Sequence, residues 1–179
     1  MAVVDHLIER SIGIRGREER QPAARLGALI VACVDPRADP ANIFELKRGE
    51  AAVLRVPGGR ITPATLQSLG VLSAVAAADQ RGRAELILMH HTDCGLSHLG
   101  PEHAALLADY FGIDTSQLLS RYPADPHASI AVDLRLLSQD ERMPRQMLAS
   151  GLVYDVATRV VRLAVPPATL AEHAHHPVG

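Results

Sequence analysis

The sequence predicts an α/β fold, a mostly parallel sheet with helices on its faces. Three observations carry this. "LGALIVACV", "AAVLRV" and "AELILMH" are short apolar runs of strand length, of the kind buried on both faces of a parallel sheet. Segments with helical spacing lie between and after them. Proline and glycine close the runs, in "DPRADP" after the first and "PGGR" after the second.

The elements follow in order. "VDHLIERSI" has apolar residues at helical spacing, and "RGREERQPAAR" is charged and contains Pro22, so residues 1–25 read as a helix and an arm. The first strand ends near Cys33. "ANIFELKRG" reads as a helical turn or two ending at Gly49. After the second strand, "TPATLQSLGVLSAVAAADQ" is a long helix with Thr62 as N-cap and Pro63 at its first position. The third strand leads into "HHTDCG". Pro101 to Tyr122 reads as one or two helices, and "DPHASIAVDLRLLSQ" as another. "GLVYDVATRVVRLAV" reads as two strands around a turn. The end, 166–179, has two prolines and no periodic core, which predicts a loose tail. Residues 1–179 thus form one domain, with no internal repeat or linker.

Composition narrows the function. The 179 residues are 47% hydrophobic and 21% charged, ordinary for a globular chain with a real core. The formal net charge is −2 and aromatics are 3%, so neither a basic field nor stacking platforms suit a nucleic-acid partner. No run of about 18 apolar residues occurs, so no membrane partner is expected. The start carries Asp5 and Glu9 and lacks a secretory apolar core, which leaves a cytoplasmic location as the expectation. In a reducing compartment, the two cysteines, Cys33 and Cys94, are expected as thiols.

In open parallel sheets, functional groups gather beyond the C-terminal strand ends. Cys33 ends the first strand, and His90 and His91 end the third. Zinc favours thiolate and imidazole in tetrahedral geometry. His91 and Cys94 form H-x-x-C across a strand end and turn. With Cys33 they give a Cys₂His set, which leaves one position for water, the pattern of a catalytic zinc. Adjacent strand residues point to opposite faces, so His90 and His91 should not both serve. Spacing favours His91 and leaves His90 open. In "CVDPR", Asp35 and Arg37 follow the cysteine at two-residue steps, a carboxylate and a cation beside the candidate metal. Asp93 reads as turn chemistry or as a hydrogen-bonding helper.

These residues resemble a known family. "ACVDPR" together with "HHTDCG" is similar to the β-class carbonic anhydrases, whose signatures are C-x-D-x-R and H-x-x-C. "LRVPGGRIT" resembles the segment after their second strand, commonly R-N-A-G-G-R, and "SGLVYDVAT" resembles their final hairpin. "DPANIFELKRGEAAVLR" follows their pattern between motifs. The likeness spans Leu26 to Val165 and is strongest to the shorter bacterial members.

The resemblance implies a parallel core of four strands plus an antiparallel edge strand, and a homodimer or larger homo-oligomer. It implies one zinc ion (Zn2+) per chain on Cys33, His91 and Cys94, with Asp35 and Arg37 as the catalytic dyad. The implied reaction is reversible hydration of carbon dioxide to bicarbonate and a proton. The family also has a closed, inactive form in which the aspartate takes the fourth zinc position, and the Arg–Asp pair opposes it. Gly58 and Gly59 would lie beside the pocket. The family's asparagine after the arginine is Val56 here, and Pro57 follows, changes that would reshape the pocket, make it more apolar or shift dimer packing. His90, His98 and His103 are candidate proton shuttles by residue type. Two other readings stand beside this one. One is hydrolysis of carbonyl sulfide or carbon disulfide on the same zinc. The other is an inactive, zinc-stabilised interaction module. A redox dithiol is disfavoured by the absence of C-x-x-C.

Overall fold

A computed structural model describes residues 27–78, 85–121 and 125–175. The helix and arm expected over 1–25 lie outside the described residues. The sheet has five strands in the order β2-β1-β3-β4-β5. They are β1 (Ala28–Cys33), β2 (Ala51–Val56), β3 (Glu85–His91), β4 (Leu148–Asp155) and β5 (Val160–Thr169). The first four are parallel neighbours, and β5 returns antiparallel to β4. Crossover connections place the C-terminal ends of β1, β2 and β3 at one edge, with Cys33 opposite Val56 in register.

The main core lies on one face. Leu29, Val31, Leu86, Leu88 and Val153 of the sheet meet Leu69 of α1 (Pro63–Ala78). From α3 (Pro126–Gln139) come Ile130, Leu134 and Leu137. The i, i+4, i+7 spacing of those α3 residues puts them on one stripe. Between these two helices in sequence lies the shorter α2 (Ala104–Phe111). The opposite sheet face, with Ile30, Ala32 and Met89, packs on Ala38, Ile43 and Leu46, around a one-turn helix at Pro40–Ile43. No helix among the described residues is long and apolar enough to cross a membrane.

Local capping explains the boundaries. The hydroxyl of Thr62 accepts from Thr65 N–H at 3.3 Å, opening α1 as expected. Asp125 accepts from the N–H groups of His127 and Ala128 at the start of α3.

The end of the chain corrects the sequence reading. The segment 166–179 was expected to be a loose tail, yet β5 continues through Pro166 and Pro167 to Thr169, and α4 (Leu170–His173) follows. Proline is tolerated because β5 is an edge strand. Thr169 and Glu172 form a capping box, a T-x-x-E signal present in the sequence. His173 is buried and its Nε2 lies 2.9 Å from the Ala149 carbonyl oxygen, so it packs rather than trails.

Candidate metal centre

The loop after β1 is built by its aspartates and prolines. Asp35 caps a 3-10 turn at Pro36–Ala38 by accepting from Arg37 N–H at 2.9 Å. Asp39 caps the next turn by accepting from Ala41 N–H at 3.0 Å. After β2, Pro57–Gly59 makes a tight turn with Gly58 at φ 68 and Gly59 at φ 67. A Cβ on Gly59 would lie 3.0 Å from Cys33 N and 3.1 Å from Met89 O. Only glycine lets this turn press on the ends of β1 and β3 with that backbone. Tyr110 of α2 donates its hydroxyl to the Pro57 carbonyl at 2.8 Å.

The ends of β1 and β3 bring Cys33, His91 and Cys94 together, with their ligand atoms within 4.8 Å of one another. The two sulfurs are 3.9 Å apart. A tetrahedral zinc with Zn–S bonds of about 2.3 Å sets its sulfurs about 3.8 Å apart, so the spacing fits. His91 Nδ1 lies 2.8 Å from the Thr92 carbonyl oxygen, which fixes that nitrogen as the N–H. Its Nε2 is buried with no hydrogen-bond partner. A buried, unpartnered imidazole nitrogen beside two thiols is a donor set matched to zinc.

Electrostatics at the centre favour one deprotonated sulfur, that of Cys33. The hydrogen bond from Cys94 lowers the Cys33 thiol well below its ordinary value, and the same contact raises Cys94. Asp35 N–H also points at Cys33 Sγ, at 3.4 Å. For His91, burial opposes the charged form, but the neighbouring Cys33 sulfur and the Thr92 carbonyl outweigh it and raise the group. Asp35 is lowered to about 2, chiefly by the Arg37 side chain, and Arg37 is raised by Asp35 and Asp93.

The comparisons with known proteins agree with this geometry. The carbonic anhydrase family model matches residues 28–109. Beta-carbonic anhydrase 1 of Mycobacterium tuberculosis is 29% identical over 171 residues, covering 93% of this chain and all of the relative. A carbonic anhydrase from Streptococcus mutans is 28% identical, with a TM-score of 0.67 over 92% of this chain and 98% of that one. The chain resembles the β-class carbonic anhydrases in sequence and in fold. A carbon disulfide hydrolase at 19% identity shares the fold, with a TM-score of 0.59 over 90% of this chain and 89% of that one.

At the end of β3, His90 and His91 diverge as strand alternation requires. His90 is buried, with Nε2 3.2 Å from the Gly59 carbonyl and 3.4 Å from Asp133 Oδ2. His98 reaches Asp93 Oδ1 at 3.2 Å on the surface, and His103 pairs with Glu102 at 3.3 Å on a different turn. A small cleft of about 50 Å³ opens beside His91 and Cys94, lined also by Gly58, Arg60, His90 and Leu96. Val56 does not fit the expectation of a pocket wall. Its side chain packs against the main core, because strand alternation directs it there, so the apolar change at this position is absorbed by packing. Gly59 serves by close approach, its carbonyl facing His90.

Sequence reasoning assigned no role to two residues that organise the site. Arg55 donates Nε to the Cys33 carbonyl at 3.0 Å and Nη2 to the Asp35 carbonyl at 2.6 Å, and its Nη1 pairs with Asp39 at 3.0 Å. It therefore holds the whole Cys33–Asp39 loop. A lone arginine within an apolar strand was the available signal. Asp133 is the other, a fully buried carboxylate shared by Arg60 and Arg121. Its signal was an acid between Ile130, Leu134 and Leu137 on the apolar stripe of α3.

Proposed function

We propose that this protein is a zinc-dependent carbonic anhydrase that interconverts carbon dioxide with bicarbonate and a proton. The observation that carries the reading is the buried, unpartnered Nε2 of His91 facing two sulfurs 3.9 Å apart, with the Asp35–Arg37 pair alongside. The likeness to β-class carbonic anhydrases supports it. Cys33, His91 and Cys94 would hold the ion, which supplies Lewis acidity toward water at its one open position.

The chain's own groups then divide the work. Asp35, lowered to about 2, is ionised throughout the neutral range, so it can only accept a hydrogen bond. Accepting one from the reacting water aims an oxygen lone pair at the substrate carbon. Arg37 donates to both Asp35 oxygens, Nε at 3.1 and 3.2 Å and Nη2 at 2.7 Å, and so fixes the carboxylate's orientation. Arg55 fixes the backbone on which Asp35 sits. A homodimer or larger homo-oligomer belongs to the same reading: Val71 and Val75 of α1 are 60% and 53% exposed, and β2 leaves one sheet edge unpaired among the described residues.

The decisive experiment measures zinc content, carbon dioxide hydration and mass by light scattering on one purified sample, with carbonyl sulfide as competing substrate. One zinc per chain with hydration and a mass of a dimer or a larger assembly is the expected result. Zinc with carbonyl sulfide hydrolysis alone would transfer the site to the sulfur reaction, and zinc with neither activity would sink the enzyme reading.

Arg37→Ala separates orientation from charge. Without the guanidinium the Asp35 carboxyl relaxes toward its ordinary value near ~3.9, so it stays ionised at neutral pH. Loss of activity at pH 7 must then come from position, with Asp35 free to reach the metal. Hydration is expected to fall by roughly 10- to 100-fold. A zinc-loaded crystal structure of the variant should show Asp35 as fourth ligand. Asp35 still turned away would count against this account.

A further inference from the structure

Asp93 lies between two candidate ligands in "HTDC" and does not point at the metal position. Its backbone has φ 54, in the left-handed region. Aspartate tolerates that region better than most residues, yet such outliers gather where function holds them. The conformation turns both acceptors of Asp93 toward Arg37. Arg37 Nη1 donates to Asp93 Oδ2 at 2.8 Å, and Nη2 donates to the Asp93 carbonyl at 2.9 Å. The rest of the guanidinium serves Asp35. One planar group thus spans the loop after β1 and the turn after β3, the two segments that carry the metal-site residues.

Stability does not account for this arrangement. The side chains of Arg37 and Asp93 are 49% and 53% exposed, and exposed ion pairs contribute little to folding. Orientation does account for it. A half-exposed arginine held only by its neighbour two residues away keeps most of its rotamer freedom. Anchoring the far side of the fork removes that freedom, and a bidentate fork transmits direction as well as charge. Asp35, at 15% side-chain exposure, receives the benefit. His98 buttresses the other Asp93 oxygen from the solvent side.

We propose that Asp93 is a positioning residue: it anchors Arg37 from the β3 side and thereby holds Asp35 in place, clear of the metal. The role of Asp35 in this statement rests on the function proposed above.

Two substitutions test it in the cobalt(II)-substituted enzyme. Asp93→Gly keeps the left-handed backbone and the carbonyl acceptor but removes the carboxylate. Asp93→Asn keeps the backbone and an oxygen for Arg37 Nη1. The glycine variant is expected to lose about tenfold in kcat with KM little changed, as for an interaction that acts on the chemical step. Its visible cobalt bands should move toward those of Arg37→Ala. The asparagine variant should keep most of kcat and the wild-type bands. The cobalt spectrum is recorded without substrate, so it decides the positioning role even if the wild-type enzyme failed to hydrate carbon dioxide. Wild-type bands and kcat in Asp93→Gly would overturn the proposal. So would equal losses in both variants with unchanged bands, since that pattern belongs to the charge of Asp93 and not to its hold on Arg37.

Discussion

Cys33→Ser is expected to purify without zinc and without measurable carbon dioxide hydration, while keeping its fold. Cys33 is 4% exposed at the end of β1, and its surroundings fix where its side chain points. Arg55 grips its carbonyl, the Gly59 turn presses on its amide, and Asp35 N–H donates to its sulfur. Serine would occupy the same place with nearly the same volume. Its hydroxyl stays protonated at neutral pH and is a poor donor to zinc, which prefers thiolate. Two protein ligands would remain where a catalytic site needs three. Loss of a group behind a ligand already costs about 10- to 100-fold in metal affinity, and loss of the ligand itself must exceed that. Elemental analysis after dialysis reads the metal, and thermal melting reads the fold. The parallel pairing of β1 with β2 and β3 does not use the sulfur, so the apo variant should melt like apo wild-type protein. A variant that retained one zinc per chain and activity would remove Cys33 from the metal centre.

The fold was legible because its signals are local. β1, β2 and β3 announce themselves as apolar runs cut off by proline or glycine, and Thr62-Pro63 announces the start of α1. The tail was misread because Pro166 and Pro167 look like breakers unless the strand is known to sit at an edge, which is a fact about neighbours. At the site, H-x-x-C and C-x-D-x-R sit on two strand ends, so each half is visible in a short window. Parallel topology then makes their meeting a consequence of fold class. What stayed hidden needs partners far apart in sequence. Arg55 acts on a loop 20 residues before it, and Arg37 meets Asp93 across 56 residues. Nothing in a linear pattern says which of many arginines faces which acid. His90 shows the same limit. Alternation admitted only one of the pair to the metal and spacing favoured His91, but the true surroundings of His90, Gly59 and Asp133, come from a turn and a helix that only packing brings together.

Asp133 is where the largest loss of stability is expected. Its carboxylate is fully buried and every lone pair faces a donor. Oδ1 accepts from Arg121 Nη1 at 2.7 Å and Arg60 Nη2 at 3.2 Å. Oδ2 accepts from Arg60 Nε at 2.7 Å and the Ile61 N–H at 3.1 Å. Phe111 lies under both guanidinium groups, at 5.1 and 5.3 Å from its ring centre. Asp133→Asn preserves shape, but it turns one of the two oxygens into an NH₂ that faces two donors. It also removes the negative charge between Arg60 and Arg121. Breaking a buried pair in this way costs about 3–5 kcal/mol, far more than the pair would be missed if all its members were made apolar together. Urea denaturation at pH 7 measures the difference.

Acid titration gives a second, independent reading. Burial opposes ionisation of Asp133, but Arg60 and His90 prevail, and its carboxyl lies well below the usual range in the folded protein. A depressed folded value means stability that is fully present above the unfolded value near ~3.9 and is lost as pH falls toward the folded one. The gap between wild type and Asp133→Asn should therefore stay constant from neutral pH down to about 5 and narrow only below about 4. A gap that closed nearer pH 6 would assign the effect to a histidine instead. The same node begins one residue after Gly59 and touches His90, the neighbour of His91. Asp133→Asn should therefore also weaken zinc retention in molecules that remain folded, since the turn that holds Cys33 in place is tied to the helix through this carboxylate.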